Sequence, residues 1–177
     1  MSPTCRDTVF TAIEMAKRND VTVVFDPNIR LKLWAPEEAR EVLISIAGKC
    51  DIVLPGMEEG RLLTGQTTPE KIADTLLQNG SKVGVVKLGE KGAYYATSSE
   101  NGYVEASKVS HIVDPLGAGD AFVAGFLSGL LREWSYKESV LLGNRVAAFA
   151  LTVVGDVEGL PSWSQVNPTQ DMKEVLR

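Results

Sequence analysis

The stretch Asp114-Pro115-Leu116-Gly117-Ala118-Gly119-Asp120 decides how this chain is read, because it joins two apolar segments through a glycine-rich turn. His111-Ile112-Val113 precedes it, and Ala121-Phe122-Val123-Ala124-Gly125-Phe126-Leu127 follows as a strongly apolar helix candidate. A turn of this kind leaves backbone N–H groups unpaired at the positive end of a helix dipole, which suits a phosphate. Gly117 and Gly119 let the backbone approach such a group closely. Asp120 falls in the first turn, where a carboxylate is no anion ligand, and two readings are open. In the first, Asp120 caps the helix and the glycines only make a tight turn. In the second, the amides hold a moving phosphate while Asp120 accepts the proton of an attacking hydroxyl. The chain has no G-x-x-x-x-G-K-[ST] loop, and Phe122 stands where a dinucleotide fingerprint has its third glycine.

Bulk properties narrow the classes. The 177 residues make one domain's worth of chain, 1–177, long enough for a sizeable core. Hydrophobic residues make up 44% and charged residues 23%, the balance of an ordinary globular protein. A net charge of −5 argues against nucleic acid or an anionic membrane as partner. No run approaches the roughly 20 apolar residues of a membrane span, and no signal-peptide core opens the chain, so a cytoplasmic location is expected. Cys5 and Cys50 fit neither a disulfide framework nor a metal-binding spacing. His111 is the one histidine, which disfavours histidine catalysis and zinc, and it is expected in a strand.

Residues 6–18 carry Val9, Ala12, Ile13 and Ala16 at the spacing of one buried helical face. Val21-Thr22-Val23-Val24-Phe25 is an apolar run without polar alternation, as in a buried parallel strand, and Asp26-Pro27-Asn28 stops it. A helix is expected from about Pro36 to Ala47, then the strand Ile52-Val53-Leu54, a short helix through Leu63, and another helix from Thr68-Pro69-Glu70 to about Gln78. Val83-Gly84-Val85-Val86-Lys87-Leu88 is a second buried-type strand, turned by Gly89-Glu90-Lys91-Gly92 into Ala93-Tyr94-Tyr95-Ala96-Thr97. Tyr103-Val104-Glu105-Ala106 reads as a further strand. The helix after Asp120 is expected to run to about Trp134, with Gly125 and Gly129 permitting close packing, against the sheet on this reading. Ser135 caps the next helix, which stays apolar as far as Val154 and is expected to be buried, with Asn144 as a polar exception. The tail from Ser164 is polar, with a short amphipathic helix near 171–176. Strands alternating with helices give an α/β fold.

Asp114-Pro115-Leu116-Gly117-Ala118-Gly119-Asp120-Ala121-Phe122, with Gly125 three residues on, resembles the C-terminal signature of the ribokinase-like (PfkB-type) sugar kinases, although Pro115 replaces the family's usual Thr. Asp26-Pro27-Asn28-Ile29-Arg30 after a strand is similar to a second motif of the same family, and its continuation Leu31-Lys32-Leu33-Trp34 looks most like the family's 2-keto-3-deoxygluconate kinases. The resemblance implies a base at Asp120, an anion hole from the amides of Gly117, Ala118 and Gly119, and an Arg30 that reaches both sugar acid and transferring phosphate. A planar guanidinium suits that double task. It also implies that Asn28 lies near the nucleotide phosphates. Lys87, Leu88, Gly89 and Gly92 match a nucleotide-binding turn, and Asn144 matches a position near adenine. Glu59 matches a residue that holds magnesium through water, although Gly56 replaces the Asn expected three positions earlier. The segment from Gly155-Asp156 to Leu160-Pro161 resembles the loop that closes the nucleotide site and helps hold a monovalent cation, potassium being the candidate.

The implied fold is a ribokinase-like three-layer α/β/α sandwich, of which this chain carries the C-terminal part, lacking the N-terminal strands and the β lid. The implied activity is transfer of the ATP γ-phosphate to a hydroxyl of 2-keto-3-deoxygluconate, with ATP and Mg2+ bound. Two alternatives stay open: a catalytically incomplete nucleotide-binding fragment, and a kinase for fructose, ribose or a nucleoside. An exposed sheet edge would call for a partner, either an N-terminal half-chain or a second copy.

Overall fold

A computed structural model describes residues 1–33 and 35–167. The helix expected near 171–176 lies outside the described residues, as does Trp34. The chain divides into two compact units. The first holds residues 1–89 and 94–103, the second residues 90–93 and 104–177.

The first unit begins with α1 (Pro3–Arg18), whose Ser2 side chain accepts from the Cys5 N–H and whose last turn carries Lys17 and Arg18 beside the helix's negative end. Of the face expected to be buried, Ile13 is inside, Val9 and Ala16 are half-buried, and Ala12 is exposed. Next come β1 (Val24–Phe25), α2 (Pro36–Ala47) and β2 (Ile52–Val53), then α3 (Met57–Thr64), α4 (Pro69–Gln78) and β3 (Val83–Lys87). β1 and β3 both pair parallel with β2, Val24 opposite Ile52 and Val53 opposite Gly84. A 3-10 turn at Gly89–Lys91 leads to β4 (Ala93–Ala96), and β5 (Asn101–Val104) closes a five-stranded sheet in the order β1-β2-β3-β4-β5. The core gathers Ala39, Val42, Leu43 and Ile46 of α2, Ile72 and Leu76 of α4, and Val53 and Val86 of the sheet. The apolar positions of α2 and α4 recur every three or four residues, so one stripe of each helix faces the sheet.

The strand expected at 21–25 is shorter than its apolar run. Val21 is 55% exposed and both residues of β1 are half-buried, because β1 is an edge strand with a neighbour on one side only among the described residues. β5 begins and ends two residues before the expected strand.

The second unit is built on α5 (Ala118–Leu130) and α6 (Tyr136–Ala150), with a short α7 (Trp163–Val166). Gly125 and Gly129 bring α5 against α6, not against the sheet. A Cβ on Gly125 would lie 2.8 Å from the Leu142 carbonyl oxygen, and one on Gly129 2.7 Å from Ser139 Oγ. Gly143 of α6 returns the contact, since its Cβ would meet the Phe122 carbonyl at 2.9 Å. Ser135 caps α6 as expected, and the structure adds a reciprocal bond from the Ser135 N–H to Glu138. Two expectations fail here. α5 stops at Leu130, because a turn through Glu133 at φ 60 breaks the helical run. α6 stops at Ala150, and Val153 and Val154 are exposed, so their apolarity marks a surface loop and not a buried helix end. Residues 111–113 form no strand: Ile112 and Val113 are exposed, with the Val113 N–H bonded to the Leu151 carbonyl.

Candidate active site

Two clusters carry the residues singled out by sequence, one in each unit. In the second unit, Gly117 is the N-cap of α5 at φ 73, a conformation that favours glycine. Space forbids a side chain there as well, since a Cβ would lie 2.8 Å from the Asp156 carbonyl oxygen. The Ala118 N–H makes a long bond of 3.4 Å to the Pro115 carbonyl, and the regular ladder starts only with the Ala121 N–H on the Gly117 carbonyl at 2.8 Å. The N–H groups of Gly117 and Gly119 have no backbone partner among the described residues. That is the donor arrangement an anion requires. Asp120, third residue of α5, is exposed beside them, so its carboxylate is open to a substrate and not spent as a cap.

Asp114 fixes the shape of this turn. Its Oδ1 accepts from the Leu116 N–H at 2.9 Å and its Oδ2 from the Gly155 N–H at 3.3 Å, tying the glycine turn to the loop over 151–160. No role for Asp114 beyond the motif was legible in the sequence, because its second partner lies 41 residues away. Asn144 is buried and donates both its amide hydrogens, to the Val104 carbonyl at 3.2 Å and the Glu105 carbonyl at 2.9 Å. Its donors are therefore committed to backbone. Gly92, at φ 89, is enclosed by residues 104–106, with no room for a Cβ.

In the first unit the candidates meet at the carboxyl ends of the parallel strands, where ligands bind in open α/β sheets. Asp26 follows β1 and Lys87 ends β3, and Lys87 Nζ lies 2.6 Å from Asp26 Oδ2 with both side chains largely buried. Burial pushes the Asp26 carboxyl above its ordinary value, the Lys87 ammonium pulls it back, and the nearby Glu59 charge adds to the upward push. Asp26 Oδ1 is buried without a partner. Glu59 spans two segments: Oε1 accepts from the Ile29 N–H and Oε2 from the Gly56 N–H, both at 2.8 Å. This clamp joins the loop after β1 to the start of α3, and it stands where Gly56 offers no side chain of its own. Asn28 adopts φ 41, which Asn tolerates better than most residues, and is exposed. Arg30 is exposed on the same loop, where a turn bonds the Leu33 N–H to the Arg30 carbonyl at 2.9 Å. Leu88 is half-buried against the core, and Gly89 at φ 61 faces open space. Sequence reasoning named Asp26 only as the start of a motif and gave it no role of its own. Its signal was a charged residue directly after one strand and another ending a second, 61 residues apart.

Among the described residues no three His, Cys, Asp or Glu side chains converge on a point. The donor set nonetheless suits magnesium, which keeps most of its waters and takes one or two carboxylates beside substrate phosphates. Glu59 and the unpartnered Asp26 Oδ1 supply that pair. No helix among the described residues is long and apolar enough to cross a membrane.

Comparison with known proteins gives a consistent result. The pattern of the pfkB family carbohydrate kinases matches residues 1–163. The chain is 40% identical over 164 residues to a 2-dehydro-3-deoxygluconokinase of Bacillus subtilis, which covers 92% of this chain and 50% of that protein. It is 33% identical over 171 residues to an ATP-dependent 6-phosphofructokinase of Thermoanaerobacterium thermosaccharolyticum, covering 96% of this chain and 53% of the relative. Among solved structures, a putative ribokinase II of E. coli in complex with ATP and Mg2+ superposes with a TM-score of 0.87 at 30% identity, covering 97% of this chain and 56% of the other. The chain spans about half the length of the relatives it matches.

Proposed function

The chain belongs to the pfkB family of carbohydrate kinases, and from that premise we propose that it carries the phosphoryl-transfer machinery of a 2-keto-3-deoxygluconate kinase. The observation that carries the proposal is the start of α5, where unpaired amides of Gly117 and Gly119 stand beside the exposed Asp120. The resemblance over residues 26–34 and the Bacillus subtilis relative favour a sugar acid as acceptor.

In this mechanism a sugar hydroxyl oxygen attacks the γ-phosphorus of ATP in line, and the bond from that phosphorus to the bridging oxygen of ADP breaks. The amides of Gly117, Ala118 and Gly119 hold the moving phosphoryl group, and Asp120 takes the hydroxyl proton. A carboxylate at a helix N-terminus is a weak base, which suffices when the transition state is loose and the proton leaves late. Arg30 bridges the sugar acid and the transferring phosphate through its donor fork. Asn28, Lys87, Leu88, Gly89 and Gly92 are the nucleotide contacts that the resemblance implies, with Lys87 meeting phosphate, and Asn144, its donors committed to backbone, can offer adenine only its amide oxygen. Glu59 would hold magnesium through water, and the ion would supply charge neutralisation; the loop over 155–161 would help hold potassium. ATP and the sugar acid are the small-molecule partners, and the cytoplasm is the expected compartment.

A second reading is favoured by the coverage of about half of each relative: a nucleotide-binding part that completes its sugar pocket with an N-terminal half-chain. Asp120→Asn separates chemistry from binding. It should lower turnover by about 10²–10⁴-fold while ATP binding persists. Turnover unchanged in that variant removes Asp120 from the mechanism. Turnover absent from the wild type with ATP still bound selects the second reading.

A further inference from the structure

The half-buried pair Asp26–Lys87 has a feature that a purely structural salt bridge does not need. Lys87 Nζ occupies Asp26 Oδ2 at 2.6 Å, while Oδ1 of the same carboxylate is buried and unpartnered. Buried carboxylate oxygens are ordinarily filled, so an empty one is a place for a further positive or donor group. The neighbouring protein groups do not fill it: the Asn28 N–H acts on the carboxylate only weakly and makes no hydrogen bond to Oδ1. Glu59, the other charge that acts on Asp26, is itself negative and holds the Ile29 and Gly56 amides with its two oxygens. The pair also lies at the carboxyl ends of β1 and β3, where a ligand enters a parallel sheet, so Lys87 is within the ligand's end of the fold with its charge already neutralised.

We propose that Asp26 is a positioning residue that keeps Lys87 in reserve: Lys87 exchanges Asp26 for a nucleotide phosphate only when a divalent cation replaces it as the counter-charge of Asp26. The proposal rests on the nucleotide site inferred above. Its logic is electrostatic. Without the cation, a phosphate must either compete with Asp26 for Lys87 or leave a buried carboxylate uncompensated, which is strongly unfavourable. With the cation, both negative groups are satisfied at once. Asp26 thereby couples nucleotide affinity to the cation beyond the direct attraction of metal for phosphate, and such coupling is reciprocal.

The test is calorimetric titration of the full chain with ATP, in MgCl2 and in EDTA. The wild type should bind ATP at least about tenfold more tightly in Mg2+. Asp26→Asn should bind ATP in EDTA nearly as tightly as the wild type does in Mg2+, leaving a gain from Mg2+ of only about threefold or less. A variant that loses affinity equally in both buffers, or that keeps the full Mg2+ gain, overturns the proposal. The wild type gives an independent reading that does not depend on the folding of Asp26→Asn. With 13C-labelled lysine, the Lys87 Cε resonance, assigned by its loss in Lys87→Arg, should move when ATP and Mg2+ are both present and stay in place with ATP in EDTA. A resonance that stays in place while ATP binds in Mg2+ overturns the exchange alone. No ATP binding by the wild type in Mg2+ overturns the nucleotide site, and the exchange with it.

Discussion

Asp51 illustrates how a single carboxylate holds the edge of the sheet. Its Oδ2 accepts from the Val23 N–H at 2.9 Å and its Oδ1 from Lys82 Nζ at 2.8 Å, so it anchors the segment leading into β1 beside the start of β2. Burial alone would raise this carboxyl, but the bonds from Lys82 and the Val23 N–H outweigh it and hold it below the ordinary value. A carboxyl whose folded value is depressed adds stability above its unfolded value, near pH 4, and loses it as pH falls through the folded one. Asp51→Ala should therefore lower unfolding stability in urea by about 1–3 kcal/mol at pH 7, and the deficit should shrink in acid. A constant deficit from pH 7 to 3 would contradict this account. Cys50 offers a second test at the same scale. It is buried, and burial pushes its thiol up to about 11, whereas Cys5 is exposed. Ellman's reagent should titrate one thiol in the native chain and two after denaturation.

At the scale of elements, the glycines of α5 and α6 set how closely the two helices approach. Gly143→Val should cost about 1–3 kcal/mol through overpacking against Phe122, measured as a lowered urea midpoint. A neutral substitution would show that the contact yields. The same pair marks what the sequence could and could not disclose. The existence of both helices was legible, because apolar spacing, the Ser135 cap and the glycine turn are local signals. Their mutual packing was not, since Gly125 and Gly129 announce close approach without naming the partner. Val153 and Val154 misled for a related reason: an apolar run says that residues avoid water, not whether a loop carries them. Within the candidate site, the turn over 114–120 was readable from the order of its residues. The Asp26–Lys87 pair and the Glu59 clamp on Ile29 were not, because they join positions 61 and 30 residues apart that only the parallel register brings together.

For the whole molecule, the edge at β1 is the feature that bears on association. Val21 at 55% exposure leaves apolar surface just before β1, which pairs on one side only among the described residues, and such an edge invites association. In sedimentation the 19.1 kDa chain should run as a larger species at micromolar concentration, and a stable, compact monomer would count against that expectation. The central claim is phosphoryl transfer from ATP to a sugar acid by way of Asp120. It is tested most directly by ADP release from the purified chain with 2-keto-3-deoxygluconate, fructose or ribose, in magnesium and potassium, for the wild type and Asp120→Asn. The account predicts release that depends on the sugar acid, exceeds that with either neutral sugar, and falls by about 10²–10⁴-fold in Asp120→Asn. Release that is equal with all three sugars, or undiminished in Asp120→Asn, would contradict it.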